Sequence, residues 1–335
     1  MPEPRIAVIG ATGAVGGITL QLLRERGYGQ VRVLASGRSA GRQLEGGAVV
    51  DEATPEVLAA GDIDLAFFSV GTAASRELVP HAVRGGAVAV DKSSAYRLQD
   101  GIPLVVPEVN GERALEHDGI VANPNCCAIP LTVILNPLKK KAGLERVLVS
   151  TYQSASGAGR ALVDELEEQT KAIAAGTEPP VAAYPYQLAY NVVPGGWRPE
   201  SGGYNEEEVK IVNETRKILH EPELRITATC VRVPVPIGHG ESVFIETAEK
   251  LTADEARELL ATSPGVVVED DPHAKLYPTP HGVAGKDEVF VGRIRDDASA
   301  RHGLVLWIVS DNLRKGAALN AVQIAEQAIQ MGVVK

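Results

Sequence analysis

The sequence has no basic block, few cysteines and no uninterrupted apolar run, and each of these absences removes a class of function. Lys and Arg number 33 against 43 Asp and Glu, a formal charge of −10 over 335 residues. An acidic chain without a clustered basic patch repels phosphodiester backbones and anionic lipid surfaces, so neither nucleic acid nor membrane is expected as a partner. The most apolar stretch, 120–138, is interrupted by Asn123, Pro124, Asn125, Pro130 and Pro137 and is unsuited to spanning a bilayer. Met1 to Arg5 is polar and leads straight into a strand-like run without the apolar middle of a secretory signal, so a cytoplasmic protein is expected. Three cysteines, Cys126, Cys127 and Cys230, are too few for a disulfide framework. Their spacing from the histidines matches no zinc-ligand pattern, and no metal is expected. Repeats and low-complexity tracts are absent. With 44% hydrophobic and 23% charged residues, the chain is of ordinary globular composition and long enough for two domains, each with its own core.

The opening of the chain carries the first positive signal. Residues 5–9 form a short β-branched run, 10–16 a glycine-rich turn, 18–26 a helical pattern stopped at Gly27, and 31–35 a second strand. Glycines at 10, 13 and 16 let the backbone turn tightly and open a helix whose amides face a pyrophosphate. Gly10, Thr12, Gly13, Ala14 and Val15 are therefore the first candidate cofactor contacts. The spacing is GxxGxxG rather than GxGxxG, but strand, turn, helix and strand follow in the order that dinucleotide binding requires. At the end of the second strand the sequence reads Ser36-Gly37-Arg38-Ser39, without the acid that would bind a ribose 2′-hydroxyl. Arg38, flanked by Ser36 and Ser39, suits a 2′-phosphate, which favours NADP over NAD; a solvated loop charge is the alternative.

Further βα units at 65–91 extend this into a Rossmann-type, doubly wound parallel sheet, giving an α/β fold class. From Val147 the pattern changes to longer alternating strands at 147–153, 225–234, 242–248, 288–295 and 304–310. Helices intervene at 160–175, 206–219 and 252–261, the last opened by a Thr252…Glu255 capping box. A second, α+β domain with a mostly antiparallel sheet is expected over 125–311. The first covers 1–124 and is completed by the C-terminal segment 312–335.

At the junction stands Asn123-Pro-Asn125-Cys126-Cys127. With Asn125 as N-cap, Cys126 would fall in the first helical turn, where free amides stabilise a thiolate. Cys126 is the candidate nucleophile, against the alternative of a small buried apolar residue, which Cys230 keeps. His239, in Pro236-Ile-Gly-His-Gly240, is placed by its glycine-rich bend at an exposed position suited to acid/base work; a structural histidine is the alternative. Arg232 can grip a carboxylate bidentately. Its odd separation from His239 puts the two on opposite strand faces unless Gly238 re-aims the histidine. Glu207 and Lys210 share a helix face, as an ordinary ion pair or as ligands.

The segments 10–16, Asn123-Pro-Asn-Cys126, 152–159 (Tyr-Gln-Ser-Ala-Ser-Gly-Ala-Gly), 190–194 (Tyr-Asn-Val-Val-Pro), Glu207-Glu-Val-Lys210 with Glu214-Thr-Arg216, Cys230-Val-Arg232 and Ser310-Asp-Asn-Leu313 resemble, in order, those of the aspartate-semialdehyde dehydrogenase family. The resemblance implies an enzyme that interconverts β-aspartyl phosphate and aspartate β-semialdehyde with NADP, a step towards lysine, threonine, methionine and isoleucine. By motif it implies Cys126 as nucleophile, His239 as acid/base catalyst and Gln153 as an orienting group. Arg97, Asn125 and Lys210 would bind phosphate, Arg232 the substrate carboxylate and Glu207 its ammonium. Ser156, Gly157 and Asn312 match cofactor contacts, and subunits would pair through the second domain as homodimers or homotetramers. Two features depart from the family pattern: Cys127 stands where a small hydroxyl is usual, and Gly195-Gly-Trp-Arg198 is unmatched. The rival readings are another acyl-phosphate reductase, acting on N-acetyl-γ-glutamyl phosphate or glyceraldehyde-3-phosphate, and a catalytically silent NADP-binding sensor. Glu207 argues against an acetylated amine. No tyrosine has Lys four positions later, which excludes the short-chain reductases.

Overall fold

The computed structural model describes residues 4–332 and residue 334; the first residues of the polar lead and parts of the C-terminal tail considered above lie outside them. The chain divides into two compact units, one running to Asn125 and resuming at Ala317, the other spanning Cys126–Gly316. Sequence reading placed these crossings at 125 and 312.

In the first unit, strands β1 (Ile6–Ile9), β2 (Val31–Ala35), β3 (Asp51–Glu52), β4 (Leu65–Phe68), β5 (Val88–Asp91) and β6 (Ile120–Ala122) form one sheet in the order β3-β2-β1-β4-β5-β6. Every pairing is parallel. Strands β1, β4 and β5 are buried along their whole length, as expected where helices cover both faces. The order reverses between β1 and β4, and such a switch point is where open α/β sheets take ligands. The last helix, Leu319–Gln330, puts Leu319, Val322, Ile324 and Ala325 into the same core as Val8, Phe67 and Val90. Its Asn320 donates to the Asn123 side chain at 2.8 Å and to the Val105 carbonyl at 3.0 Å.

The second unit holds β7 (Arg146–Gln153), β8 (Arg225–Arg232), β9 (His239–Glu246), β10 (Val266–Val268), β11 (Val289–Asp297) and β12 (Gly303–Ser310), ordered β10-β11-β12-β9-β7-β8. The sheet is mixed: the three central pairings are antiparallel, but β7 with β8 and β10 with β11 are parallel. Parallel neighbours need a crossover, and the helices Arg160–Ala174 and Glu206–Leu219 supply it between β7 and β8. The Thr252…Glu255 capping box forms with both of its bonds.

The helix after the junction begins later than expected. It spans Ala128–Ala142 with Cys127, not Asn125, at its N-cap, so Cys126 lies in the preceding turn. The reason is Pro130. A helix begun at Cys126 would need an N–H from Pro130 in its second turn, whereas a start at Ala128 leaves Pro130 in the first turn, where no N–H is required.

Candidate active site

Strand alternation and register assemble the second unit's polar groups. On β7, β8 and β9 the inward residues include Gln153, Arg232 and His239. Gln153 pairs with Arg232, and His239 pairs with Ser310 on the other side of β9. The re-aiming expected at Gly238 is found: Arg232 ends β8 and His239 opens β9, so they belong to different strands and both face inward. Gly238, at φ +92°, makes the turn, where a Cβ would lie 2.7 Å from the Pro280 carbonyl.

His239 is buried, not exposed as the sequence suggested. The Ser154 N–H donates to its Nδ1 at 3.0 Å. An amide can only donate, so in the neutral ring the proton sits on Nε2, which has no hydrogen-bond partner among the described residues. Donor atoms of Cys126, Cys127 and His239 lie within 4.8 Å of one another. Sequence spacing gave no sign of this cluster. Its distances would admit a thiophilic metal, but its surroundings have the wrong polarity. A metal-bound imidazole needs an acceptor for its other N–H, and Ser154 presents a donor. The arrangement suits proton transfer at a thiol.

The two adjacent cysteines differ in environment. Cys126 is partly exposed, while Cys127 is fully buried. Burial, reinforced by its hydrogen bond to Cys126, pushes the Cys127 thiol well above its ordinary range and keeps it protonated. Burial does the same to Cys230. Gly316 packs against the Cys126 backbone; a Cβ there would lie 3.1 Å from Cys126 Cβ.

Glu241 escaped the sequence reading. It stands two residues beyond His239 on β9, a spacing that puts both on one strand face. Both its carboxyl oxygens are buried, with the Cys127 thiol alongside. Burial first, and Cys126 second, push its pKa up and favour the neutral form of the carboxyl.

Gln153 donates to Glu207 at 3.3 Å. Glu207 is buried at the start of its helix, and Lys210 Nζ lies 3.7 Å from it. Arg232, 2% exposed, donates to the Ser154 carbonyl at 2.7 Å, while its Nε is unpartnered among the described residues. A Cβ on Gly157 would come within 3.0 Å of Arg232 and 3.1 Å of His239, so this residue backs both. Asn312 accepts from Ser154, Ser156 and Gly238 through Oδ1, bracing the loop that holds His239.

In the first unit, Gly13 caps the helix Ala14–Glu25 without a side-chain bond, leaving its first amides open to an anion. Gly10, at φ +84°, and Gly16 lie where a Cβ would meet backbone oxygen at 2.4 and 2.2 Å. Ser36 and Arg38 are exposed and Ser39 half-buried in the loop after β2. The Glu52 carboxylate reaches Gly37, where a Cβ would lie 2.5 Å from it, and so places an acid in this loop that sequence distance concealed. Arg97 is buried and donates to the carbonyls of Asn123 at 2.9 Å and Lys92 at 2.7 Å. Asn125 is buried as well.

Known proteins match both units. Residues 5–117 fit the model of the semialdehyde dehydrogenase NAD-binding domain, and 135–315 that of the semialdehyde dehydrogenase dimerisation domain. An aspartate-semialdehyde dehydrogenase of Aquifex aeolicus is 45% identical over 98% of this chain and 99% of its own. The crystal structure of aspartate semialdehyde dehydrogenase II from Vibrio cholerae complexed with ASA is 40% identical, with a TM-score of 0.94 over 98% of this chain and 99% of that one. A Candida albicans aspartate semialdehyde dehydrogenase with NADP aligns at 25% identity and TM-score 0.78, covering 99% of each chain.

Proposed function

The chain belongs to the aspartate-semialdehyde dehydrogenase family, and from that membership we propose that it reduces β-aspartyl phosphate to aspartate β-semialdehyde with NADPH, releasing phosphate, through a thioester on Cys126. The observation that carries this reading is the cluster of a partly exposed Cys126 with buried Cys127 and His239, with the imidazole tautomer fixed by Ser154.

The glycine turn fits a dinucleotide: its helix start is uncapped, and Cβ atoms at Gly10 and Gly16 would close the cradle. Thr12, Gly13, Ala14 and Val15 would hold the pyrophosphate and Ser36, Arg38 and Ser39 the 2′-phosphate; the family pattern adds Ser156, Gly157 and Asn312 as further cofactor contacts. When bound, NADPH supplies the hydride that reduces the thioester.

Cys126 Sγ attacks the β-carbonyl, the C–O bond to phosphate breaks, and phosphate leaves towards Arg97, Asn125 and Lys210. The buried Cys127 thiol stays protonated and does not compete for the acyl group. His239 holds its proton at Nε2 against the oxygen that gains charge as Cys126 adds to the carbonyl; when the thiohemiacetal on Cys126 collapses, that oxygen gives up its charge as the C=O re-forms, the C–S bond breaks and the Cys126 thiolate leaves. Gln153 orients the acyl group. Arg232 takes the α-carboxylate and Glu207 the ammonium, a pairing an N-acetylated substrate would not satisfy. The enzyme acts in the cytoplasm, in amino-acid biosynthesis, as a homodimer or homotetramer. The match of 135–315 to a dimerisation domain supports the pairing.

The test is phosphate-dependent NADP reduction with aspartate semialdehyde, run beside N-acetylglutamate semialdehyde. Turnover should be confined to the first substrate. Cys126→Ser should lose activity by at least about a thousandfold while NADP binding persists, because a hydroxyl is a far weaker nucleophile at neutral pH. Cys127→Ser should be nearly silent. A dead Cys127→Ser beside an active Cys126→Ser, or a preference for the acetylated aldehyde, would overturn the assignment.

A further inference from the structure

The segment 193–198, which contains the stretch unmatched by the family pattern, is tied to Arg232 at several points. Val193 and Arg232 exchange backbone hydrogen bonds, with Val193 N–H donating to the Arg232 carbonyl at 2.9 Å and the reverse bond at 2.8 Å. Two residues on, the Gly195 carbonyl accepts from the Tyr184 hydroxyl. Gly196, at φ +95°, leaves room for that ring; a Cβ there would lie 2.3 Å from the hydroxyl. Trp197 then lays its ring 4.8 Å from the Arg232 guanidinium carbon, with the Tyr184 ring at 5.7 Å. Finally, the Arg198 carbonyl accepts the Glu206 N–H at 2.9 Å, at the start of the helix that carries Glu207.

The guanidinium therefore has its plane set by two aromatic rings and one corner set by the Ser154 carbonyl, while its buried Nε has no partner among the described residues. A buried cation left this way invites a carboxylate, and its rings fix the direction from which one can approach. We infer that Trp197, held in place through Tyr184 and Gly196, is a positioning residue that orients Arg232 towards the substrate carboxylate and so sets affinity for the amino-acid end of the substrate. This inference rests on the assignment of Arg232 as the carboxylate ligand under the proposed function.

The experiment compares Trp197→Leu, Trp197→Phe, Tyr184→Phe and Arg232→Lys in the oxidative direction, with separate KM values for aldehyde and for phosphate. Removing the ring should raise the aldehyde KM about tenfold, with kcat within about twofold and the phosphate KM unchanged. Trp197→Phe should recover most of the affinity, and Tyr184→Phe should fall between. The chain has two tryptophans, so in a Trp307→Phe background the remaining fluorescence reports Trp197 directly. It should change on saturation with aspartate semialdehyde, which also gives a reading independent of turnover. An aldehyde KM unchanged in Trp197→Leu while Arg232→Lys raises it overturns the inference alone. An unchanged aldehyde KM in Arg232→Lys overturns the carboxylate assignment and the inference with it. A Trp197→Leu enzyme that loses kcat or phosphate affinity instead, or a fluorescence signal indifferent to aldehyde, also overturns it.

Discussion

Two ionisable side chains, one partly and one fully buried, make opposite demands on the fold. Lys92 donates to Thr19 Oγ1 at 2.7 Å, and burial, opposed by Asp91, brings its pKa down from 10.5 to about 7. Between those values the unfolded chain binds a proton that the folded one has released, so stability rises with pH across this window and is lost as pH falls towards 7. The full difference is on the order of 5 kcal/mol. Glu241 has the opposite sign. Its folded pKa lies above its unfolded value, so its contribution is complete below about pH 4.5 and is lost as pH rises through the folded value. Denaturation midpoints measured from pH 6 to 10 should climb less steeply in Lys92→Met than in the parent, and more steeply in Glu241→Gln. Parallel curves for the parent and Lys92→Met would mean that the amine stays solvated.

Among the elements, the helix Glu206–Leu219 joins stability to recognition. Asn205 accepts from the Glu207 and Glu208 amides at 3.0 Å, and Glu208 returns a bond to the Asn205 N–H at 2.9 Å. The second Glu208 oxygen takes the Cys230 N–H at 3.0 Å and fastens the helix start to β8, two residues from Arg232. Asn205→Ala removes the cap and should cost about 1 kcal/mol of stability. Because Glu207 occupies the first turn, the same change should raise the aldehyde KM severalfold while leaving NADP affinity alone. Thermal unfolding and steady-state kinetics on one preparation check both. A stability loss without any KM change would show that Glu207 is held by Gln153 rather than by the helix start.

At the scale of the whole molecule, ligand linkage separates the tasks of the two units. A cofactor that binds the folded state alone stabilises it by about 2.7 kcal/mol at a hundred times its Kd, and Tm should rise accordingly. NADP should give the larger shift at equal concentration, and Arg38→Ala should remove most of that difference, since only NADP offers a 2′-phosphate to a guanidinium. The Glu52 carboxylate beside Gly37 opposes the same phosphate, so Glu52→Gln should widen the preference for NADP. Equal losses for NAD and NADP in Arg38→Ala would take that residue out of cofactor selection.

Much of this architecture is a local property of the chain. Gly10, after a buried strand, and Gly16, in the first turn of the helix that follows, are glycines because a Cβ at either would strike backbone oxygen. The helix Glu206–Leu219 and the Thr252…Glu255 box follow from side chains within one turn of each other. The family's motifs likewise single out Cys126, Gln153, Arg232 and His239 as candidates from sequence alone. Tertiary structure decided what depends on register and enclosure. Pro130 moved the helix start past Cys126, and β7, lying between β8 and β9, turned Arg232 and His239 to the same face. Enclosure raised the pKa of Glu241 and separated two adjacent thiols into a partly open one and a sealed one. The pairing of Trp197 with Arg232 spans 35 positions of sequence through a loop without periodicity, so no pattern along the chain encodes it. Local signals record what neighbouring residues do to the backbone, whereas burial and cross-strand pairing are set only once distant segments share a core.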